Sequence, residues 1–207
     1  MGLIIGSGSF TRYLAEGDLP EDFLGELQEK TAKHSFRNLE EKSISERSIG
    51  WVNVMDMFDN HFSGLDFLKE PYITMSFRVD EKKIPPSALK QYSLEAEDRI
   101  KKEENLEYLS RTRRLDIKEG VRLHLLQRAI PVSKVYDMVW NYTTGHVLFG
   151  CTMNKICDDF VELFLRTFDI QLQALYPYAL ATRFFDKKGA LRDALEGLGP
   201  SDFSQEK

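Results

Sequence analysis

Four cationic side chains in the middle of the chain recur at spacings that would place them on one face of a helix. They are separated by three, four and four positions: Arg111, Arg114, Lys118 and Arg122. Residues three and four positions apart are neighbours on a helix surface, so the four side chains would form one ridge. A row of cations suits a row of phosphates, and it equally suits a face that contacts only water. The chemistry that this spacing predicts is the neutralisation of phosphate charge.

The helix that would carry this ridge is indicated by an apolar pattern. Ile117, Val121 and Leu125 recur every four residues, which places them on one face. Asp116 followed by Glu119 has the spacing of a capping box. The sequence therefore predicts an amphipathic helix that starts near Ile117.

A second helix is predicted just before it, over residues 87–109, with Leu89, Tyr92, Ala96 and Ile100 facing inward. Its cations are expected to be neutralised by four acid-first pairs, each four residues apart: Glu95–Arg99, Glu97–Lys101, Asp98–Lys102 and Glu107–Arg111. The ridge and the less compensated cations nearby make up the predicted DNA-binding set: Lys82, Lys83, Lys90, Arg111, Arg113, Arg114, Lys118, Arg122, Arg128 and Lys134.

Charge is unevenly distributed along the 207 residues. The formal net charge is −5, so the whole protein has no general attraction to nucleic acid. Residues 82–134, however, hold 13 Lys and Arg against 8 Asp and Glu, a net of +5. The middle of the chain is basic and its flanks are acidic, which confines any contact with phosphates to the middle.

Other chemistries have weaker patterns. A metal-dependent nuclease needs carboxylates that hold metal ions, and the candidates are Asp158, Asp159 and Glu162, which also suit the polar side of a helix. The acids and histidine of residues 56–66 have no spacing that distinguishes a metal site from a surface loop. Cys151 and Cys157 match no usual zinc spacing and are expected to be buried thiols. The sequence predicts no catalytic residue, metal or cofactor.

The remaining elements predict an α+β fold. Strands are expected over residues 3–14, 43–54 and 72–79, and a hairpin over 134–151 turns at Thr144-Gly145. Helices are expected after Pro20 and after Asn154, which can cap the last one. The order is β-α-β-β-α-α-β-β-α, which indicates an antiparallel sheet with packed helices. Residues 1–170 would form this domain, and 171–207 an extension that is partly packed and then loose.

With these elements assigned, the chain resembles the RdgC family of bacterial recombination-associated proteins. The resemblance depends on Gly50-Trp51-Val52, on Lys82-Lys83-Ile84-Pro85 with Ser87 and Lys90, and most on the apolar and basic positions of residues 117–129. The hairpin with Gly145 and Cys151 and the helix of residues 155–168 follow at the family's spacing. The matching positions are spread in order over residues 3–170.

The resemblance implies a protein without catalytic activity. Family members form ring-shaped homodimers that bind duplex DNA with little sequence preference and limit the access of RecA to DNA. The same family is also labelled an exonuclease, and a protein-assembly role without DNA is a further alternative. Lys83, Lys118 and Arg128 are the basic positions that match the family pattern.

Three features depart from that family. Relatives continue into a further C-terminal domain that helps to close the ring, so the chain is interpreted as a shortened member. Trp140 lies one position from the family's hairpin tryptophan, and Gly150 occupies the place of an acid.

No apolar run reaches membrane-spanning length, and the first residues lack the basic start of a signal peptide. A cytoplasmic, nucleoid-associated protein is expected.

Overall fold

One antiparallel sheet organises the chain. The computed structural model describes residues 8–17, 19–40, 43–62, 64–186 and 197. Its strands are β1 (Thr11–Glu16), β2 (Arg47–Val52), β3 (Leu68–Lys69), β4 (Tyr72–Glu81), β5 (Val132–Asn141), β6 (His146–Phe149) and β7 (Gln171–Ala174). Six of them follow the order β2-β4-β5-β6-β1-β7, and β3 pairs with one end of β4. The long strands β4 and β5 pair over their whole length, from Tyr72 opposite Asn141 to Glu81 opposite Val132.

Five helices accompany the sheet within the described ranges: α1 (Phe23–Lys33), α2 (Pro86–Glu104), α3 (Arg111–Arg128), α4 (Asn154–Phe168) and α5 (Pro177–Asp186). Helices α1 and α4 bury their apolar faces in the main core. Successive side chains of a strand point to opposite faces of the sheet. The residues of β4 on the inner face belong to this core: Ile73, Met75, Phe77 and Val79. The apolar side chains of α4 recur with the period of a helix, so they lie on one face and can pack together against the sheet.

Aromatic rings hold α4 on the sheet. Phe160 of α4 stacks on Phe149 of β6 with ring centroids 3.9 Å apart. Trp51 of β2 meets both Phe77 and Phe160 edge-on, and its indole Nε1 donates to Thr167 Oγ1 at 2.8 Å. Offset and edge-to-face ring pairs are favourable beyond their buried area, so this cluster fixes α4 in position and rotation.

Helices α2 and α3 form a hairpin with a small core of its own. Ala96, Leu109 and Ile117 are buried together, and Ile100 and Val121 pack against them. The two helices contact mainly each other rather than the sheet. Because their apolar cluster is separate from the main core, the α2–α3 hairpin is a satellite of the domain.

The α+β prediction is confirmed, and all nine predicted elements occur in the predicted sequence order. The prediction omitted β3, β7 and α5. Strand β7 pairs with β1 from Tyr13 opposite Ala174 to Glu16 opposite Gln171, so residues 171–174 belong to the sheet. The first seven residues of the chain and most of its predicted loose end lie outside the described residues.

Two predicted helix starts were wrong. Helix α3 begins at Arg111 and not near Ile117, because the hydroxyl of Ser110 accepts a hydrogen bond from the backbone N–H of Arg113 and caps the helix six residues earlier. Asp116 therefore lies inside the helix. Met153 is the cap residue of α4. Asn154 is the first residue of this helix, and no side chain caps the helix start. Helix α2 also ends earlier than predicted, at Glu104, because Asn105 adopts a left-handed conformation.

The cysteine prediction agrees with the structure. Cys151 is buried, Cys157 is partly buried, and both are free thiols. Burial raises the pKa of Cys151, which keeps this thiol protonated. Both residues therefore act as small apolar side chains at the start of α4.

Gly50 should be intolerant of any side chain. The backbone of residues 34–36 crosses beside β2, since Phe36 N–H donates to Trp51 O at 2.9 Å and Trp51 N–H donates to His34 O at 3.1 Å. A Cβ on Gly50 would overlap the backbone of Phe36. We expect Gly50→Ala to lower the free energy of unfolding by about 1–3 kcal/mol in urea denaturation.

The matched control for this change is Gly120→Ala. Gly120 lies inside α3, and a Cβ there would meet nothing within 4 Å. Alanine is favoured over glycine in a helix interior by about 1 kcal/mol, so this variant should be as stable as the wild type or more so. Equal stability of Gly50→Ala and the wild type would contradict the close crossing.

Candidate nucleic-acid interface

The α2–α3 hairpin carries most of the cations that the sequence singled out. Residues 105–110 connect the two helices, with Asn105 ending α2 and Ser110 capping α3. Two ion pairs tie the helices together near this connection: Arg113 with Glu104 at 2.8 Å, and Arg114 with Glu97 at 3.6 Å. The Arg113–Glu104 pair is exposed on both sides and contributes little to stability, whereas Glu97 of the other pair is only 16% exposed.

The predicted ridge does lie along one helix, but its members differ in how far they are neutralised. Arg111 and Lys118 are exposed and have no ion pair with any residue that the structure describes. Arg114 pairs with Glu97, and Arg122 is held by Glu119 at 3.0 Å and by Glu46. Arg111 and Lys118 are therefore the ridge positions whose charge is most available to a ligand.

The charge pairing expected within α2 was wrong. None of the four predicted acid-first pairs of residues 95–111 is present within 4.0 Å, and all eight residues are described. Glu97 turns to Arg114 of α3 instead of Lys101. Arg99, Lys101 and Lys102 consequently keep uncompensated charges, and they are candidate phosphate contacts that the sequence argument had discounted.

Lys82 does not present its ammonium group to the surface. The residue is 3% exposed, and its Nζ donates to the backbone oxygens of Ser43 at 3.0 Å and Glu40 at 3.4 Å. A buried ammonium is stable only with such acceptors, so its role is to fasten Glu40 and Ser43 to the end of β4. We therefore leave Lys82 out of the interface.

The other predicted cations lie in different places. Lys90 is exposed on α2, and Arg128 is exposed at the end of α3, where it lines a groove between the two helices. Arg113 is exposed but paired with Glu104. Lys83 and Lys134 lie away from the helix surface, beside the sheet, and line a small pocket with Arg47 and Lys155.

This basic pocket could not be found by sequence reasoning, because its cations come from four separate segments. The sheet register sets Arg47 opposite Glu81 and Lys134 opposite Val79. Lys155 enters from the first turn of α4. We call this cavity the basic pocket. Its cations are Arg47, Lys83, Lys134 and Lys155, and the residues that complete its lining are Val79, Glu81, Val132 and Ile156.

Of the three acidic residues considered for a nuclease, Asp159 and Glu162 pair with arginines, whereas Asp158 is exposed and has no ion pair with a described residue. Asp159 binds Arg47 at 2.5 Å, and this hydrogen bond is the largest cause of the raised pKa of Arg47. Glu162 lies 3.8 Å from Arg166. Within the described ranges no three residues among His, Cys, Asp and Glu are grouped so that they could hold a metal ion.

The acids of residues 56–66 shape their own loop. Asp56 Oδ1 accepts from the backbone N–H of Phe58 at 2.9 Å, and Asp59 accepts from Asn53 Nδ2 at 3.1 Å. Such side-chain bonds to nearby backbone stabilise turns. These carboxylates therefore have a local structural task.

A comparison with protein families gives the chain its affiliation. The family described as "Putative exonuclease, RdgC" matches residues 10–180, which include every strand named above, helices α1 to α4 and the first four residues of α5. The chain belongs to the RdgC family. Among curated proteins, none matches it significantly.

RdgC membership supports a recombination-related protein of the nucleoid. The match covers the hairpin, the basic pocket and the sheet between them. The family description names an exonuclease. In the described part of the chain, no helix is both long and apolar enough to cross a membrane.

Lys118→Ala provides the direct test of the ridge in this RdgC-family chain. Each phosphate contact contributes about −0.9 to the slope of log affinity against log salt for duplex DNA. We expect the variant to lose about one such contact, measured by fluorescence anisotropy of a labelled duplex at several salt concentrations. The matched control is Lys69→Ala. Lys69 is exposed and pairs with Tyr72 at the start of β4, whereas Glu81 is at the other end of that strand. Equal slopes in the two variants would remove Lys118 from the interface.

Proposed function

We propose that this RdgC-family chain binds duplex DNA without sequence preference and limits the access of RecA to DNA during recombination or replication. The observation that carries the proposal is the set of exposed cations on the α2–α3 hairpin that lack an ion pair to any described residue and lie outside the groove between the two helices: Lys90, Lys102, Arg111 and Lys118. Residues 86–128 hold ten Lys and Arg against eight Asp and Glu, a net of +2 on a protein of net charge −5, and the excess of cations lies on α3, with six against two. RecA as the opposed protein is proposed from family membership.

Contacts with phosphates rather than bases are the form of binding that these residues support. Helix α3 has 18 residues and is about 27 Å long, which matches the rise of about eight base pairs of duplex. Its uncompensated cations are spaced along this length and alternate with acids such as Asp116 and Glu119. Phosphate contacts fix the position of a protein on DNA but carry no sequence information, so binding would be sequence-independent.

A homodimer is part of the proposal, and an open groove supports it. The groove between α2 and α3 has a volume of about 700 Å³ and is lined by apolar side chains that include Tyr92, Val121 and Leu125. Tyr92 is 48% exposed, and Leu94 and Leu115 on the same hairpin are also exposed. Clustered apolar side chains on a surface are typical of protein contacts, and a second copy of the chain is the occupant that we propose.

The first functional prediction concerns salt and magnesium. The affinity for a labelled duplex should fall linearly with log salt, with the same slope for unrelated sequences of equal length. The DNA should remain intact after incubation with magnesium, as judged on a denaturing gel. Shortening of the DNA that requires magnesium would favour the exonuclease alternative. No binding at low salt would overturn the DNA-binding proposal and favour the assembly role.

The dimer is tested by sedimentation of Leu125→Gln. Leu125 lines the groove but is not part of the buried cluster of the hairpin, so the variant should keep its fold. We expect its dimer to dissociate at a higher protein concentration than that of the wild type. Gly120 lines the same groove, and Gly120→Ala, which adds only one methyl group there, is the folding control. A wild-type protein that sediments as a monomer at all concentrations would contradict the proposal.

A further inference from the structure

The basic pocket collects four cations around one carboxylate. Arg47 is the first residue of β2, Lys134 lies in β5, and Lys155 is in the first turn of α4. Lys83 follows β4 and binds Glu81 at 3.1 Å. Val79, Val132 and Ile156 supply the apolar part of the lining. Three strands and one helix therefore deliver positive charge to one place from separate parts of the chain.

The charges in the basic pocket are not balanced by the residues around them. Glu81 is paired with Lys83, and Asp159 with Arg47. Lys134 and Lys155 have no ion-pair partner among the described residues. The hydrogen bond from Lys83 lowers the pKa of Glu81, and the charges of Lys155 and Arg47 lower it further, which shows that these three cations converge on the same carboxylate.

Arg47 also carries an unused hydrogen-bond donor. Its Nε is buried and has no acceptor among the described residues. Its terminal nitrogen Nη2 is bound to Asp159 Oδ2. A buried donor without an acceptor costs free energy. Arg47 lines the cavity together with Lys134 and Lys155, and an anion with several oxygens is the ligand that clustered cations of this kind favour.

Size restricts the kind of anion. The cavity has a volume of about 110 Å³. The groove between α2 and α3, at about 700 Å³, is about six times as large, so the basic pocket favours a small anion such as one phosphate group.

We propose that the basic pocket binds a single phosphate group, with Lys134, Lys155 and Arg47 as its donors and Glu81 orienting Lys83. The ligand is a phosphate ester or inorganic phosphate, and its source is either the end or the backbone of a DNA strand, or the free ion. This inference goes beyond the hairpin contacts, because it requires no part of α2 or α3. It stands even if the hairpin does not bind DNA.

The first experiment is calorimetric titration of the full chain with inorganic phosphate at constant ionic strength set with sodium chloride. We expect saturable binding by the wild type, and a loss of affinity of about tenfold in Lys155→Ala and in Lys134→Ala. Both lysines are exposed, so the variants should fold, which circular dichroism verifies. Lys69→Ala is the matched control and should bind like the wild type.

The second experiment identifies the source of the phosphate. Duplexes with a 5′-phosphate and with a 5′-hydroxyl are titrated against the wild type and Lys155→Ala. A preference for the phosphorylated end that is lost in the variant assigns a terminal phosphate, whereas an equal loss for both duplexes assigns a backbone phosphate. Unchanged affinity for both, together with the tenfold loss for inorganic phosphate, assigns the free ion.

Two results would overturn the proposal: no saturable binding of phosphate by the wild type, or equal phosphate affinity in Lys155→Ala, Lys134→Ala and Lys69→Ala. The hairpin variant Lys118→Ala separates this failure from failure of the proposed DNA binding. It should leave the affinity for inorganic phosphate unchanged while reducing the salt slope for duplex DNA. Loss of phosphate binding in Lys118→Ala would show that the two surfaces are one site and would also contradict the inference.

Discussion

The contact of α4 with the sheet is the constraint on which the rest of the molecule depends. Phe160 stacks on Phe149, and Trp51 is fixed by its rings and by a hydrogen bond to Thr167. These contacts determine where the first turn of α4 lies relative to β2, β4 and β5. Lys155 and Asp159 are on the same helix, so the aromatic cluster also determines the distance from Arg47 to its carboxylate and the position of the basic pocket. Packing in the core thus sets the electrostatics at the surface.

The hairpin follows a different design. Its buried cluster is small, and its helices contact mainly each other, so little apolar burial holds it to the sheet. Elements with few buried contacts open at lower free energy than the core to which they are attached. The hairpin is therefore expected to open at lower free energy than the aromatic cluster of the main core. The uncompensated cations of this acidic protein thus lie on an element that the main core holds only weakly.

The sequence predicted the elements with clear periods and failed where the signal was short or non-local. The alternation in β4 and the apolar face of α4 were sufficient to predict both. Strands β3 and β7, of two and four residues, are too short to show a period. The start of α3 was missed because its first turn is polar, so the apolar pattern began only at Ile117. In the candidate site, the spacing of Arg111, Arg114, Lys118 and Arg122 was sufficient to predict that they lie along one helix. The pairing of Glu97 with Arg114 and the grouping of Arg47 with Lys155 depend on contacts between different elements, which spacing along the chain does not show.

The ion pair of Arg122 with Glu46 has a further consequence. Glu46 immediately precedes β2, and its backbone oxygen accepts from the N–H of Lys82, so this carboxylate is attached firmly to the sheet. Arg122 belongs to the hairpin, so this pair is a contact between the hairpin and the sheet. Any anion that approaches Arg122 competes with both Glu46 and Glu119 for its guanidinium, so the charge of Arg122 is less available than that of Lys118. Because the side chains of Arg122 and Glu46 are 35% and 50% exposed, salt weakens this contact.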